Sequence, residues 1–219
     1  MNTGEVSVFV VDDDDAVRTS LQRLLRSAGW NVEAFACGRD FLERAPFEGT
    51  GCLLLDVRMP GMTGPDLHER IWEAGVSLPV VFLTAHADVP TGVQAMKRGA
   101  IDFLLKPVDE ELLLNGVRRA VMWHAVERVR RDQLQNFEGR MQSLTSRERE
   151  VMQHVVRGRL NKQIAGDLGI SEKTVKVHRA HVMEKMGIRS VAELVHFCDT
   201  AALPAATASG DEFRHDSTC

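Results

Sequence analysis

The chain has 219 residues, enough for one large domain or two ordinary ones, and 44% apolar with 26% charged residues is a globular composition. No apolar run approaches the roughly 20 residues a membrane span needs, and the start, MNTGEVSVFVVDDDD, lacks the basic region and cleavage site of a secretory signal. The net charge of −4 hides a polarity: residues 1–124 carry 12 Lys/Arg against 18 Asp/Glu, whereas residues 125–203 carry 14 against 10. An acidic front and a basic back suggest two modules with different partners, although charge alone does not separate this from scatter. The four cysteines (Cys37, Cys52, Cys198, Cys219) form no C-x-x-C pair. That argues for reduced cytosolic thiols over a disulfide scaffold or a zinc site.

Five short apolar runs punctuate the front: VSVFVV (6–11), VEAF (32–35), CLLLD (52–56), PVVFLT (79–84) and IDFLL (101–105). Amphipathic patterns lie between them. The first carries Val17, Leu21, Leu24 and Ala28 and closes on Gly29, which suits a helix C-cap. Five βα units of this kind predict an α/β fold, a five-stranded doubly wound parallel sheet with helices on both faces. Crossovers in such a fold are right-handed, and ligands sit outside the carboxyl ends of the strands.

The polar residues fall on that edge. Asp12 and Asp13 end the first strand, Asp56 the third and Thr84 the fourth, and Lys106 follows the fifth. Each alone has a duller reading. DDDD at 12–15 fits a solvated strand-to-helix turn with one aspartate capping, and Lys106-Pro107 fits an extended dipeptide before a helix. Together they are harder to dismiss. Three crowded carboxylates raise one another's pKa unless a cation sits between them. Mg²⁺ suits, since it is content with two carboxylates and keeps waters and phosphate oxygens. With Lys106 as a second positive charge and Thr84 as a hydroxyl donor, the edge becomes a phosphoryl pocket with Asp56 as nucleophile. The MPGMTG loop after Asp56 leaves the carboxylate room and backbone donors.

VVDDDDAVRTSLQRLLRSAG, LLLDVRMPGMTG and FLTAHADVPTGVQAMKRGAIDFLLKP resemble a response-regulator receiver domain. The resemblance implies that Asp56 accepts a phosphoryl group from a sensor histidine kinase. It implies that Asp12, Asp13 and Asp56 hold Mg²⁺, helped by the backbone carbonyl of Arg58. Lys106 would pair with the phosphate, and Thr84 would move to hydrogen-bond it. Phe103 matches the family's switch aromatic, where many members carry tyrosine. HADVPTGVQAMKRGAIDFLLKP is particularly similar to the FixJ subgroup. There the helix between strands 4 and 5, with strand 5, forms the dimer face, here around Val93, Lys97 and Asp102. A phosphatase of the haloacid-dehalogenase kind needs the same residue types, but it places a second Asp two residues after the nucleophile, where this chain has Arg58. A DNA-binding protein whose receiver is never phosphorylated is disfavoured by the intact pocket.

Residues 108–140 read as one long helix that starts after Pro107 with Asp109 placed to cap it. The receiver is expected to fill 1–124, and a helical linker 125–141. Leu134, Phe137, Met141 and Leu144 repeat at 3-4-3 spacing. That fits a coiled-coil seam or a helix packing on its own neighbours; the repeat is too short to identify a coiled coil, and self-packing is preferred. Gly139 reads as a hinge. The back module, 142–203, is helical throughout. TSRE (145–148) and SVAE (190–193) fit the capping box, and Ser171 begins another helix. NKQIAGDLGISEKTVKVHRAHVMEKMG has the shape of a helix-turn-helix. Ile164, Ala165 and Leu168 would face Val175 and Val182, with Ile170 in the turn. The second helix would expose Lys173, Lys176, Arg179 and Lys185, the footprint of a DNA-binding surface or of a merely solvated basic helix.

Residues 142–197 resemble the LuxR-type helix-turn-helix of the NarL/FixJ family through LTSREREVM, NKQIAGDLGIS, TVKVHRAHVMEKMG and the S-x-x-E that follows. The resemblance implies a four-helix domain that dimerises on a two-fold DNA site. Lys176, Val177 and Ala180 would look into the major groove, while Arg179, Thr174, Asn161 and Lys162 would contact phosphates. Some relatives carry lysine where this chain has Ala180, so its base preference there is not transferable. The tail, 204–219, is small and polar and reads as disordered. The expectation is a cytoplasmic two-component response regulator and not an enzyme. Its partners would be a sensor histidine kinase, double-stranded DNA, a second copy when phosphorylated and RNA polymerase, with no membrane.

Overall fold

Strands β1 (Val6–Val11), β2 (Asn31–Phe35), β3 (Thr50–Asp56), β4 (Val80–Thr84) and β5 (Asp102–Leu105) form one parallel sheet in the order β2-β1-β3-β4-β5. The structure is a computed structural model and describes residues 6–44, 47, 49–85, 96 and 99–202. Successive strand residues point to opposite faces. Phe9, Val11, Leu53, Leu55, Val80 and Phe82 meet Phe41 of α2 (Gly38–Glu43) and Leu67 and Ile71 of α3 (Gly64–Glu73). Val8, Val10, Leu54, Val81 and Leu83 meet Leu21 and Leu25 of α1 (Asp15–Ser27) and Leu113, Val117 and Ala120 of α4 (Glu110–Gln142). Burial on both faces is why these strands read as continuous apolar runs. The strand order reverses beside β1 and β3, which opens a crevice at their carboxyl ends.

The Lys106–Pro107 peptide is cis, and α4 starts three residues later with Asp109 Oδ1 accepting the Leu112 N–H at 3.0 Å. The helix then runs unbroken through Gly139, so the expected hinge is not there. Phe137 and Met141, on either side, pack into a helical core. Their burial outweighs the roughly 1 kcal/mol a mid-helix glycine costs.

The chain divides into two compact units, one running to Arg128 and the other starting at Val129. Beyond α4 the second unit holds α5 (Ser146–Val156), α6 (Asn161–Leu168), α7 (Glu172–Met186) and α8 (Val191–Ala202). Val151, Val155, Ile164, Val175, Val182, Met186 and Leu194 fill its core. Phe137 stacks on Phe197 with centroids 5.6 Å apart, and Leu144 is buried beside them. Phe137, Met141 and Leu144 of the 3-4-3 pattern therefore pack within their own unit, and Leu134 is partly exposed. No helix among the described residues is long and apolar enough to cross a membrane.

Candidate functional site

The carboxyl ends of β1 and β3 carry Asp12 and Asp56, and Lys106 follows β5. Lys106 Nζ donates to Asp12 Oδ2 at 2.6 Å and also to Asp56 Oδ1, so one ammonium bridges two buried carboxylates. Asp12 is held in place by the Asp14 N–H on its Oδ1 at 3.0 Å. The run of four aspartates divides its labour. Asp12 belongs to the pocket, and Asp14 caps α1 by accepting from the Ala16 and Val17 N–H groups. Asp13 is exposed at the rim, with no hydrogen bond or ion pair among the described residues. Thr84 is buried at the end of β4, and its carbonyl accepts the Lys106 N–H at 2.7 Å, which fixes the backbone from which the lysine reaches across.

The loop after β3 explains its glycines. The Arg58 N–H donates to Asp56 Oδ2 at 2.7 Å, while the Arg58 residue itself is exposed. Gly61 has φ +79°, the left-handed region that favours glycine. A Cβ on Gly64 would collide with the Asp56 carbonyl oxygen, so only glycine lets α3 start this close to the strand end. Thr63 then caps α3 in a reciprocal box with Asp66. Phe103 is half-buried, its ring 6.4 Å from Phe82.

Burial raises the Asp56 carboxyl above its usual range, and the hydrogen bond and charge of Lys106 offset this only in part. Burial also pulls Lys106 down, but its bonds to Asp12 and Asp56 prevail and hold it above its ordinary value. The expected crowd of three carboxylates is thus two acids bridged by a lysine, with the third at the rim. Among the described residues no three His, Cys, Asp or Glu side chains are gathered closely enough to hold a metal. The donor chemistry still fits a hard divalent cation, which asks for oxygen ligands and as few as one or two carboxylates. Cys52 takes no part; burial pushes its thiol up to about 12.

In the second unit, α6, a turn through Gly169 (φ +64°) and α7 make a helix-turn-helix. Lys173, Lys176, Val177 and Ala180 are exposed on α7, and Val177 offers an apolar contact. Arg179 Nη1 donates to Asn161 Oδ1 at 2.9 Å, which joins two of the expected phosphate contacts. Thr174 shares a hydrogen bond with the cap residue Ser171, and Lys162 is exposed on α6. Lys185 is different. Its Nζ lies 2.6 Å from Glu148 Oε2, and Glu148 is buried, so this cation is spent within the domain. The capping box TSRE made Glu148 look like a local cap, and its long-range partner carries no sequence signal. Val93 and Lys97 lie outside the described residues. Asp102 of the expected dimer face is ion-paired with Arg119 of its own chain.

Comparison with known proteins matches a family to each unit. The response regulator receiver domain family matches residues 8–118, and the LuxR family of bacterial regulatory proteins matches residues 142–198. The response regulator protein TmoT of Ectopseudomonas mendocina is 43% identical over 195 residues, covering 89% of each chain. The transcriptional regulatory protein FixJ of Azorhizobium caulinodans is 43% identical over 206 residues, covering 94% of this chain and 95% of its own. Among solved structures, the response regulator StyR is 49% identical with a TM-score of 0.79, covering 89% of this chain and 98% of its own. An acid–lysine pocket on a five-stranded parallel sheet, followed by a helix-turn-helix, places this chain in the two-component response regulator family, with a receiver domain and a LuxR-type DNA-binding domain.

Proposed function

We propose that Asp56 is the phosphoacceptor. A carboxylate oxygen of Asp56 attacks the phosphorus of a phosphohistidine on a sensor kinase, the P–N bond breaks, and an acyl phosphate forms. The observation that carries this reading is the single lysine bridging Asp12 and Asp56 at the sheet's carboxyl edge. That lysine stands where three anionic phosphoryl oxygens would arrive. Asp13 and Asp56, with Asp12 and the Arg58 backbone carbonyl, would hold Mg²⁺. When bound, the ion supplies charge neutralisation for the incoming phosphoryl group. Labelling with a small phosphodonor tests the assignment: wild type should take up acid-labile phosphate, and Asp56→Asn should take up none.

Once phosphate is present, Thr84 moves to hydrogen-bond it and Phe103 turns into the space released. This remodels the surface around Val93, Lys97 and Asp102, where two receivers then meet. Two recognition helices brought about 34 Å apart read successive half-sites of double-stranded DNA. The second binds at high effective concentration without a new base contact. The chain acts in the cytoplasm as a transcription regulator rather than an enzyme, with RNA polymerase as its downstream partner. Val93→Asp should leave phosphorylation intact and abolish dimers in sedimentation. A phosphorylated Val93→Asp chain that dimerises as wild type does would remove this face. The alternative surface is the linker helix through Leu134 and Phe137, of which Phe137 is buried in its own unit and Leu134 is partly exposed.

A further inference from the structure

The last turn of α4 reaches the far end of the recognition helix. Arg140 Nη1 donates to the Met186 carbonyl at 2.7 Å, and Met186 is the final residue of α7. One turn on, the Ser143 carbonyl accepts from Lys185 Nζ at 3.3 Å. Glu148 holds that same lysine from α5 at 2.6 Å. Carbonyls at a helix C-terminus lack partners within the helix, and positive charge there is favoured by the helix dipole. The Gly187 and Ile188 N–H groups satisfy the Glu184 and Met183 carbonyls, and Arg140 takes the Met186 carbonyl. Gly187 leaves room for this bond. A Cβ there would come within 2.7 Å of Arg140 Nη1.

We propose that Arg140 is a positioning residue for DNA reading: it fixes the C-terminal end of α7 and thereby sets the tilt at which Lys173, Lys176, Val177 and Ala180 meet DNA. The proposal rests on the recognition-helix assignment. A helix of 15 residues is about 22 Å long, so a tilt of about 5° around its midpoint moves either end by about 1 Å. That displacement exceeds the tolerance of a side-chain hydrogen bond, whose usable range spans about 0.5 Å. The base-reading half of α7 has its own cap at Ser171 and its own core residue at Val175. The far half carries the core residues Val182 and Met186 and the Lys185–Glu148 pair, and the Arg140 bond to the Met186 carbonyl adds a hold on its last residue. Arg140 lies in the part of α4 that belongs to the same compact unit as α7.

The test uses the full-length chain charged with a small phosphodonor. Two duplexes serve as probes: one recovered by wild type from a random pool, and a scrambled duplex of the same composition. Arg140→Ala should lower the ratio of specific to scrambled affinity about tenfold, one base pair's worth of discrimination, with the salt slope unchanged. Arg140→Lys, which keeps one donor and the charge, should recover part of that ratio. Gly187→Asn tolerates the left-handed backbone but pushes the guanidinium away, so it should reproduce the loss and add nothing in the Arg140→Ala background. If Gly187→Asn unfolds the domain, the Ala and Lys variants of Arg140, checked by their unfolding midpoints, decide alone. A salt slope reduced by about 1, with both duplexes weakened alike, would make Arg140 a phosphate contact and overturn the proposal. A wild-type ratio in Arg140→Ala would also overturn it. If wild type recovers no duplex at all, the recognition-helix assignment fails and the proposal falls with it.

Discussion

Each unit of the molecule contains a lysine paired with a buried carboxylate far away in the chain. Lys106 meets Asp56 across 50 positions, and Lys185 meets Glu148 across 37. The two pairs end in opposite states. Lys106 is divided between Asp56 and Asp12, and burial leaves the Asp56 carboxyl above its usual range. Glu148 has donors in surplus. The Lys185 hydrogen bond, followed by the Thr145 N–H, pushes its carboxyl down to about 2. An acid short of positive charge is a place for chemistry, whereas an acid saturated with donors is a strut.

The largest expected effect tests the first half of that contrast. Asp56→Asn should eliminate acid-labile phosphate while the fold survives, because Lys106 keeps Asp12 as its partner. Labelling at the wild-type rate would move the phosphoacceptor elsewhere. DNA binding tests whether two exposed lysines of the second unit divide base reading from backbone contact. Lys176→Ala should erode sequence preference by about 1–3 kcal/mol. Lys162→Ala should weaken specific and scrambled duplexes alike and flatten the salt dependence. Equal specificity ratios for the two variants, in competition titrations at several salt concentrations, would sink this division.

Glu148→Gln tests the strut. It should leave phosphate uptake unchanged and cost the helical unit about 2 kcal/mol, the scale of a charged hydrogen bond. The folded carboxyl titrates near 2 against an ordinary 4.5. Its stabilisation is therefore complete above about pH 4.5 and is lost as pH falls towards 2. Urea unfolding followed by amide exchange in α7 should show a flatter acid limb for Glu148→Gln than for wild type. Parallel limbs would mean that another group carries the acid sensitivity.

The difference between the two pairs also explains what could be read from the sequence. Asp12, Asp56, Thr84 and Lys106 were legible because each ends or follows an apolar run, and strand ends in a parallel sheet share an edge. Within DDDD, no periodic pattern distinguishes the pocket acid from the helix cap; hydrogen bonds to Asp14 and Asp12 make the choice. Gly139 was misread because its propensity is local, while the burial that keeps it helical is not. The basic balance of the back half includes cations with partners inside the domain. Lys185 and Arg140 are both engaged within the domain, and charge counting does not separate free cations from spent ones.

The smallest expected effect bears on which donors saturate Glu148. His181 Nδ1 lies 3.5 Å from Glu148 Oε1, on the same helix as Lys185, but its side chain is 52% exposed against 36% for the lysine. Lys185 and the Thr145 N–H both converge on Oε2 at 2.6 and 2.9 Å, so the short contacts are already made on the other oxygen. An exposed imidazole at that distance contributes little beyond solvent-screened attraction. His181→Gln should therefore shift unfolding by less than about 0.5 kcal/mol, well below Glu148→Gln in the same urea titration. If His181→Gln costs as much as Glu148→Gln, the imidazole is a principal partner of the buried acid. Lys185 would then be less firmly committed to the fold, and its place among the free, DNA-facing cations of α7 would be restored.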